Sequence, residues 1–250
     1  MVWKLIMSKD GRTYTYNTDE IKKDFHTDFG VITKKDMINA KFGRKIKTHK
    51  GVEFSVIEPT IKDLLARFKR GPQIVTFKDS AIIAAYTGLK PGMKVVDGGA
   101  GSGVLASFLG NLVSPNGKVI TYEIREDFSK IAKHNVKIAG LERIVKVKNK
   151  DMSKGIDEKN VDLVTVDVKS PWEIVEPAKK ALKVGGFLVA YIPTVLQVDD
   201  FVREVNKHKE LKYLRTIEII ERGWKIEERV LRPMSQMLAH TGFLIFVRKL

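Results

Sequence analysis

The chain has 250 residues, enough for one large or two modest domains with a real core, and its 43% hydrophobic content is a globular proportion. A formal net charge of +15 and a pI near 9.7 predict attraction to a polyanion, with nucleic acid the first candidate. The absence of cysteine excludes disulfides, thiolate catalysis and cysteine zinc sites, the five histidines (26, 49, 134, 208, 240) show no metal spacing, and no apolar run approaches the ~20 residues that span a membrane. The start MVWKLIMSKDGRTY is too briefly apolar for a signal peptide, so the cytoplasm is the expected location.

Residues 1–58 read as a small β-rich module, with short β-type runs at Val2–Met7, Arg12–Tyr16 and Val52–Ile57 and a hairpin signal at Asp10-Gly11. Lys41 to Lys50 (KFGRKIKTHK) is a dense basic run around an aromatic. Such a run serves equally as a phosphate-contacting surface, through Lys41, Arg44, Lys45 and Lys47, or as an edge strand blunted by lysines. The overall charge tips the reading to nucleic acid. Residues 59–92 form a helical linker. One helix opens at Glu58-Pro59-Thr60, with Pro just inside its start, runs through Phe68 and ends at Arg70-Gly71-Pro72. A second follows Thr76 and runs from Lys78 to Thr87.

Residues 93–250 alternate regularly. Strands are predicted at Lys94–Asp97, Lys118–Ile124, Ile144–Asn149, Val161–Val168 and Phe187–Ile192. Helices are predicted from Val104, over Glu126–Ala139, over Trp172–Leu182 and over Val198–His208, with a turn at Gly185-Gly186. This βαβ alternation predicts a parallel doubly wound sheet. Tyr213–Glu221 and Phe243–Arg248 read as strands with no crossover helix between them, which suits a long antiparallel hairpin at an exposed sheet edge.

The strand ending at Asp97 runs into Gly98, Gly99, Gly101 and Gly103 and then a helix, a loop that brings backbone close to a ligand. Two cofactors compete for it. Gly101 to Ala106 satisfies the G-x-G-x-x-A dinucleotide fingerprint, and Glu123 stands where an acid for a ribose hydroxyl is expected. Asp97, immediately ahead of the glycines, would instead repel a pyrophosphate and suits a ligand carrying ammonium and sulfonium charge, such as S-adenosylmethionine. Acids stand at four successive strand ends: Asp97 facing the amino-acid end of the cofactor, Glu123 the ribose, Asp151 the adenine amino group, and Asp167 the reacting methyl.

Further blocks come in one order along the chain. They are Arg70-Gly71-Pro72-Gln73-Ile74-Val75-Thr76-Phe77-Lys78-Asp79, the Asp97–Gly103 loop, Tyr122-Glu123-Ile124-Arg125-Glu126, Asp167…Pro171-Trp172, Gln197 and His240-Thr241-Gly242-Phe243-Leu244. Together they resemble the tRNA (adenine-N1)-methyltransferase family that modifies position 58 of the T-loop, in its single-subunit archaeal and bacterial form. The resemblance implies a Rossmann-like S-adenosylmethionine-dependent methyltransferase fold. That fold has a mostly parallel seven-stranded sheet with an antiparallel last strand, here behind a small N-terminal β domain. It also implies a homotetramer, tRNA as partner, no metal, and modification at 58 alone or at 57 and 58. Asp167 is the implied catalytic carboxylate. Gln73, Asp97, Gly99, Gly101, Ser102, Gly103, Glu123, Asp151 and Asp167 are expected at the cofactor, and Lys169 and His240 join the basic run at the RNA. Lys169 stands where the family has the first proline of Asp-x-Pro-x-Pro-Trp, which frees that loop and adds a cation. Tyr191 and Trp172 are candidates to pack near a flipped base, against the commoner role of core aromatics. The residues alone also leave open an NAD-dependent oxidoreductase and a non-catalytic tRNA-binding subunit of the same fold.

Overall fold

The computed structural model describes residues 2–71, 73–227 and 229–250. The chain divides into two compact units, one built on residues 1–68 (with 138–140) and one on residues 69–137 and 141–250.

The first unit contains strands β1 (Trp3–Ser8), β2 (Thr13–Asn17), β3 (Phe25–Thr27) and β4 (Gly30–Ile32). Helix α1 (Lys34–Asn39), strands β5 (Lys45–Lys47) and β6 (Glu53–Ile57), and helix α2 (Ile61–Leu64) follow. Its four-stranded antiparallel sheet runs β2-β1-β6-β5. Gly11, at φ +84°, closes the β1–β2 hairpin at the expected turn. The β3–β4 hairpin and α1 carry no strong signal in the sequence and are additions to it. Alternation along β6 buries Phe54 and Val56 against Ile6, Tyr16, Ile32 and Met37.

The helix expected through Phe68 is only α2 and one 3-10 turn over Leu65–Arg67, and Phe68 is already extended. Thr60, not Pro59, is its N-cap: Thr60 and Asp63 form a reciprocal capping box, so Pro59 lies outside the helix. Pro72, expected to help end this stretch, lies outside the described residues.

The second unit opens with helix α3 (Phe77–Thr87), closed by left-handed Gly88, and strand β7 (Lys94–Gly98). Helix α4 (Val104–Val113), β8 (Lys118–Glu123), α5 (Glu126–Ile138), β9 (Val145–Asn149) and β10 (Val161–Val166) continue it. Then come α6 (Val175–Ala181), β11 (Leu182–Ile192), α7 (Val195–Asn206), β12 (Leu211–Glu218), the β13 (Trp224–Glu227) and β14 (Val230–Pro233) hairpin, and β15 (Phe243–Lys249). Among the described residues the large sheet has the order β12-β15-β11-β10-β7-β8-β9. The β9-β8-β7-β10-β11 ladder is parallel, and β15 runs antiparallel between β11 and β12.

Three differences from the expected pattern have local causes. Gly185-Gly186 is not a free turn: β11 starts at Leu182, and Gly185 at φ +79° sits where the β10–β11 register slips. The helix expected from Trp172 begins as a 3-10 turn over Pro171–Ile174. Phe243–Lys249 does pair with β12, but it is buried inside the sheet and leaves β12 alone at the edge. The core is the apolar layer between this sheet and its helices, including Val96, Val164, Val166, Leu188, Ile192, Phe201 and Ile245.

Candidate active site

The carboxyl ends of β7, β8 and β10 converge on the glycine loop. Gly99 donates to Tyr122 O, Asp167 donates to Gly98 O, and a Cβ at Gly99 would lie 2.0 Å from Asp167 O. Glycine is therefore required there by close approach as well as by φ +91°. A cleft of about 390 Å³ opens above the loop, lined by Gln73, Gly101, Ser102, Glu123, Asp167 and Lys169 among others. A second hollow of about 240 Å³ shares Gly99, Glu123 and Lys169 with it and adds Asp151.

Glu123, at the end of β8, is nearly buried. Its Oε2 accepts from Gly101 N at 2.9 Å and its Oε1 from Arg125 N at 2.9 Å. Each oxygen thus keeps lone-pair capacity facing the cleft. Asp151 caps a 3-10 turn by accepting from Ser153 N and Oγ through Oδ1. The hydroxyl and amide of Ser153 hold its carboxyl below the usual range.

The sheet register decides the roles of the two acids nearest the glycines. Asp97 lies in one row with Thr121 on β8 and Thr165 on β10. Same-row residues share a face, so both hydroxyls reach Asp97, each at 2.7 Å. Asp97 is 1% exposed, does not line the cleft, and is pushed up to about 6 by burial against the pull of the two hydroxyls. Asp97, expected to face the amino-acid end of a cofactor, is held by these two hydroxyls within the sheet beneath the loop. Asp167 lies one residue past β10, at the cleft, and no side-chain donor reaches its carboxyl among the described residues. Burial first, then the charges of Asp97 and Glu123, push it up to about 7.

Other expected residues distribute as follows. Gly103, at φ +78°, begins α4 and lies behind the cleft, with Ala132 where its Cβ would be. Ser102 lines the cleft, and its buried hydroxyl has no partner among the described residues. Lys169 is exposed at the rim of both hollows, and its carbonyl accepts from Gln197 Nε2 at 3.2 Å. His240 is not at the cleft. Its Nδ1 meets Glu218 and its Nε2 meets Pro193 O at 2.8 Å, and these partners raise its pKa and commit both ring nitrogens to holding the tail. Tyr191 is core: its hydroxyl donates to Thr241 O at 2.6 Å, and neither it nor Trp172 lines the cleft. In the first unit Lys45 and Lys47, on edge strand β5, pair across the ladder with Glu53 at 2.6 and 3.2 Å.

Asn135 escaped the reading of the sequence. It is fully buried on α5, donates to Ser102 O at 2.8 Å and to Lys69 O at 3.0 Å, and accepts from Lys69 N at 2.8 Å. The signal was present in its amide on the apolar face of an amphipathic helix. Ile74, Val75, Leu105, Phe128 and Val168 also line the cleft and are indistinguishable in sequence from ordinary core residues.

Among the described residues no group of His, Asp or Glu could hold a metal ion, and no helix is long and apolar enough to cross a membrane. Residues 55–231 match the family model described as the tRNA methyltransferase complex GCD14 subunit. The chain is 37% identical to the tRNA (adenine(57)-N(1)/adenine(58)-N(1))-methyltransferase TrmI of Methanocaldococcus jannaschii, covering 98% of this chain and 94% of that one. It is 32% identical to the tRNA (adenine(58)-N(1))-methyltransferase TrmI of Thermus thermophilus, covering 100% and 98%. The fold superposes on a SAM-dependent O-methyltransferase of Thermotoga maritima with a TM-score of 0.86 at 33% identity, covering 100% and 93% of the two chains. It superposes on the tRNA (m1A58) methyltransferase TrmI of Aquifex aeolicus with a TM-score of 0.79 at 29% identity, covering 99% and 96%. With full-length relatives above 30% identity and a family match over most of its length, the chain belongs to the GCD14 family of tRNA methyltransferases.

Proposed function

We propose that this protein methylates N1 of adenine in the T-loop of tRNA, at position 58 and, like the Methanocaldococcus relative by its name, at 57 as well. S-adenosylmethionine is the methyl donor of this reading. The observation that carries it is Asp167: a largely buried carboxyl without a side-chain partner among the described residues, at the mouth of a glycine-loop cleft shared with Glu123.

The residues fit the donor. Glu123 has one free acceptor direction on each oxygen for a ribose diol, and Ser102 offers an unpartnered buried hydroxyl. Gly99 and Gly101 present bare backbone, and Asp151 stands in the adjoining hollow where an adenine amino group would be held. When bound, S-adenosylmethionine supplies a methyl made electrophilic by its sulfonium leaving group.

The protein's own task is alignment. Adenine N1 carries a lone pair at neutral pH, so no base is needed, and holding N1 in line for transfer is positional catalysis. Asp167 accepts a hydrogen bond from the adenine N6 amine, orients the base and stabilises the positive charge that methylation leaves on it. The T-loop base is enclosed in folded tRNA and is flipped out to reach the cleft. Lys169, beside Asp167 at the cleft, and the cations on and around β5 serve the RNA backbone. A homotetramer working in the cytoplasm belongs to the same reading.

The alternative of a nicotinamide oxidoreductase is not favoured, because relatives spanning the whole chain carry methyltransferase names. A non-catalytic subunit is opposed by Glu123 and Asp167 standing at the cleft with Asp151 in the adjoining hollow. The test is to incubate the protein with labelled S-adenosylmethionine and unmodified tRNA, then locate the label by mass spectrometry of nuclease fragments. The expected product is 1-methyladenosine at 58, or at 57 and 58. Label on a ribose or other hydroxyl, or none on tRNA, would overturn the assignment.

A further inference from the structure

Two blocks of sequence that the cleft does not use, Thr76-Phe77-Lys78-Asp79 and Thr241-Gly242, meet in a closed buried node. Asp79 is fully buried in the first turn of α3. Its Oδ1 accepts from Lys78 Nζ at 2.9 Å, and its Oδ2 accepts from Thr76 Oγ1 at 2.8 Å and Thr241 Oγ1 at 2.9 Å. Lys78 Nζ also donates to Ile219 O and to Thr241 Oγ1, both at 2.7 Å, so all three of its protons are used. Thr241 therefore accepts from the ammonium and donates to the carboxylate. The adjoining tail is fixed as well: Thr241 O accepts from Tyr191, and a Cβ on Gly242 would lie 2.7 Å from the Tyr191 ring.

A half-completed buried pair is costly, so the node is a rigid unit only when every partner is present. What it holds is adjacent to the cleft. Gln73, Ile74 and Val75 line the cleft in a stretch without regular secondary structure, and among the described residues no hydrogen bond is made by their backbone. Such a segment takes its position from its ends. One end is Lys69, doubly bonded to Asn135. The other is Thr76, whose hydroxyl is bonded to Asp79.

We propose that the Lys78–Asp79–Thr241 node is a positioning device for the Gln73–Val75 wall and thereby sets the affinity of the cleft for S-adenosylmethionine, an inference that rests on that ligand occupying this cleft. None of the three side chains lines the cleft, and they act through Thr76.

The test compares wild type, Thr241→Val, which keeps the shape and loses the hydroxyl, and Thr241→Ser, which keeps the hydroxyl. Binding of S-adenosylmethionine to the protein without tRNA is measured by calorimetry. KM and kcat for methyl transfer are measured at saturating tRNA, well below each variant's melting point. Thr241→Val is expected to raise Kd and KM for S-adenosylmethionine roughly ten-fold, the order set by one hydrogen bond to a charged group, with kcat changed much less. Thr241→Ser is expected to restore both constants. A lowered melting temperature with unchanged Kd and KM would make the node merely structural and overturn the proposal, as would failure of Thr241→Ser to rescue. If wild type itself binds no S-adenosylmethionine, the ligand assignment fails rather than the node alone.

Discussion

Asp167 and Asp97 are chemically identical acids at neighbouring strand ends with opposite fates. Asp97 receives two threonine hydroxyls and supports the sheet; Asp167 receives none and faces the cleft. Asp167→Asn conserves volume and removes the charge. If Asp167 stabilises the methylated base, kcat falls by about 10²–10³-fold with little change in affinity for S-adenosylmethionine or tRNA, measured by single-turnover transfer alongside binding. Near-wild-type turnover would remove Asp167 from the mechanism. The same change affects stability in a defined direction. The folded carboxyl titrates near 7, against 3.8 as its ordinary value. Between those pH values the folded chain keeps a proton that the unfolded chain has released, so this group's contribution falls as pH rises from about 4 to about 7 and is least favourable above that. The variant therefore melts higher than wild type at pH 8, and the margin shrinks toward pH 4. Equal melting temperatures at both pH values would show that the carboxyl is not desolvated.

At the scale of elements, β5 carries the basic run at a sheet edge, and the RNA reading of its lysines is a proposal. It is an edge strand, and lysines at an edge discourage pairing with another chain. Its Lys45 and Lys47 share Glu53 in exposed, solvent-screened pairs, which RNA phosphates can replace at small cost. Replacing Lys41, Arg44, Lys45 and Lys47 together by Ala is expected to weaken tRNA binding. It should also flatten its log–log dependence on salt, by roughly 0.7–0.9 for each phosphate no longer neutralised, without changing S-adenosylmethionine affinity. Filter binding across a salt series reads this directly, and a slope equal to wild type would put the RNA on another surface.

For the whole molecule, the exposed apolar surface does not lie on the strand Phe243–Lys249. β15 is buried within the sheet, whereas Trp224, Ile226 and Leu231 on the β13–β14 hairpin, with Met234 and Leu238 beyond it, are exposed. A two-stranded hairpin with that much exposed apolar surface gains stability by burial against another chain. The proposed tetramer predicts a light-scattering mass about four times the 28.3 kDa chain at micromolar concentration without RNA. A mass of one chain would contradict it.

The sequence by itself determined the order of strands and helices from residue 93 through β12, the glycine loop after β7 and the acids at the strand ends, but it missed the β13–β14 hairpin. All of these are local: side-chain period, turn chemistry and chain direction put an acid after a strand wherever that strand goes. It also carried the family, through short blocks whose order survives without knowledge of how they pack. Only the tertiary structure decided which acid is enclosed and which faces the cleft, because the register of β7 between β8 and β10 aims two threonines at Asp97 and none at Asp167. Likewise, only folding joined Asp79 to Thr241, gave both nitrogens of His240 their partners and threaded β15 between β11 and β12. Partners more than a hundred residues apart, or one strand over, are fixed by sheet register and packing, and no periodicity along the chain encodes them.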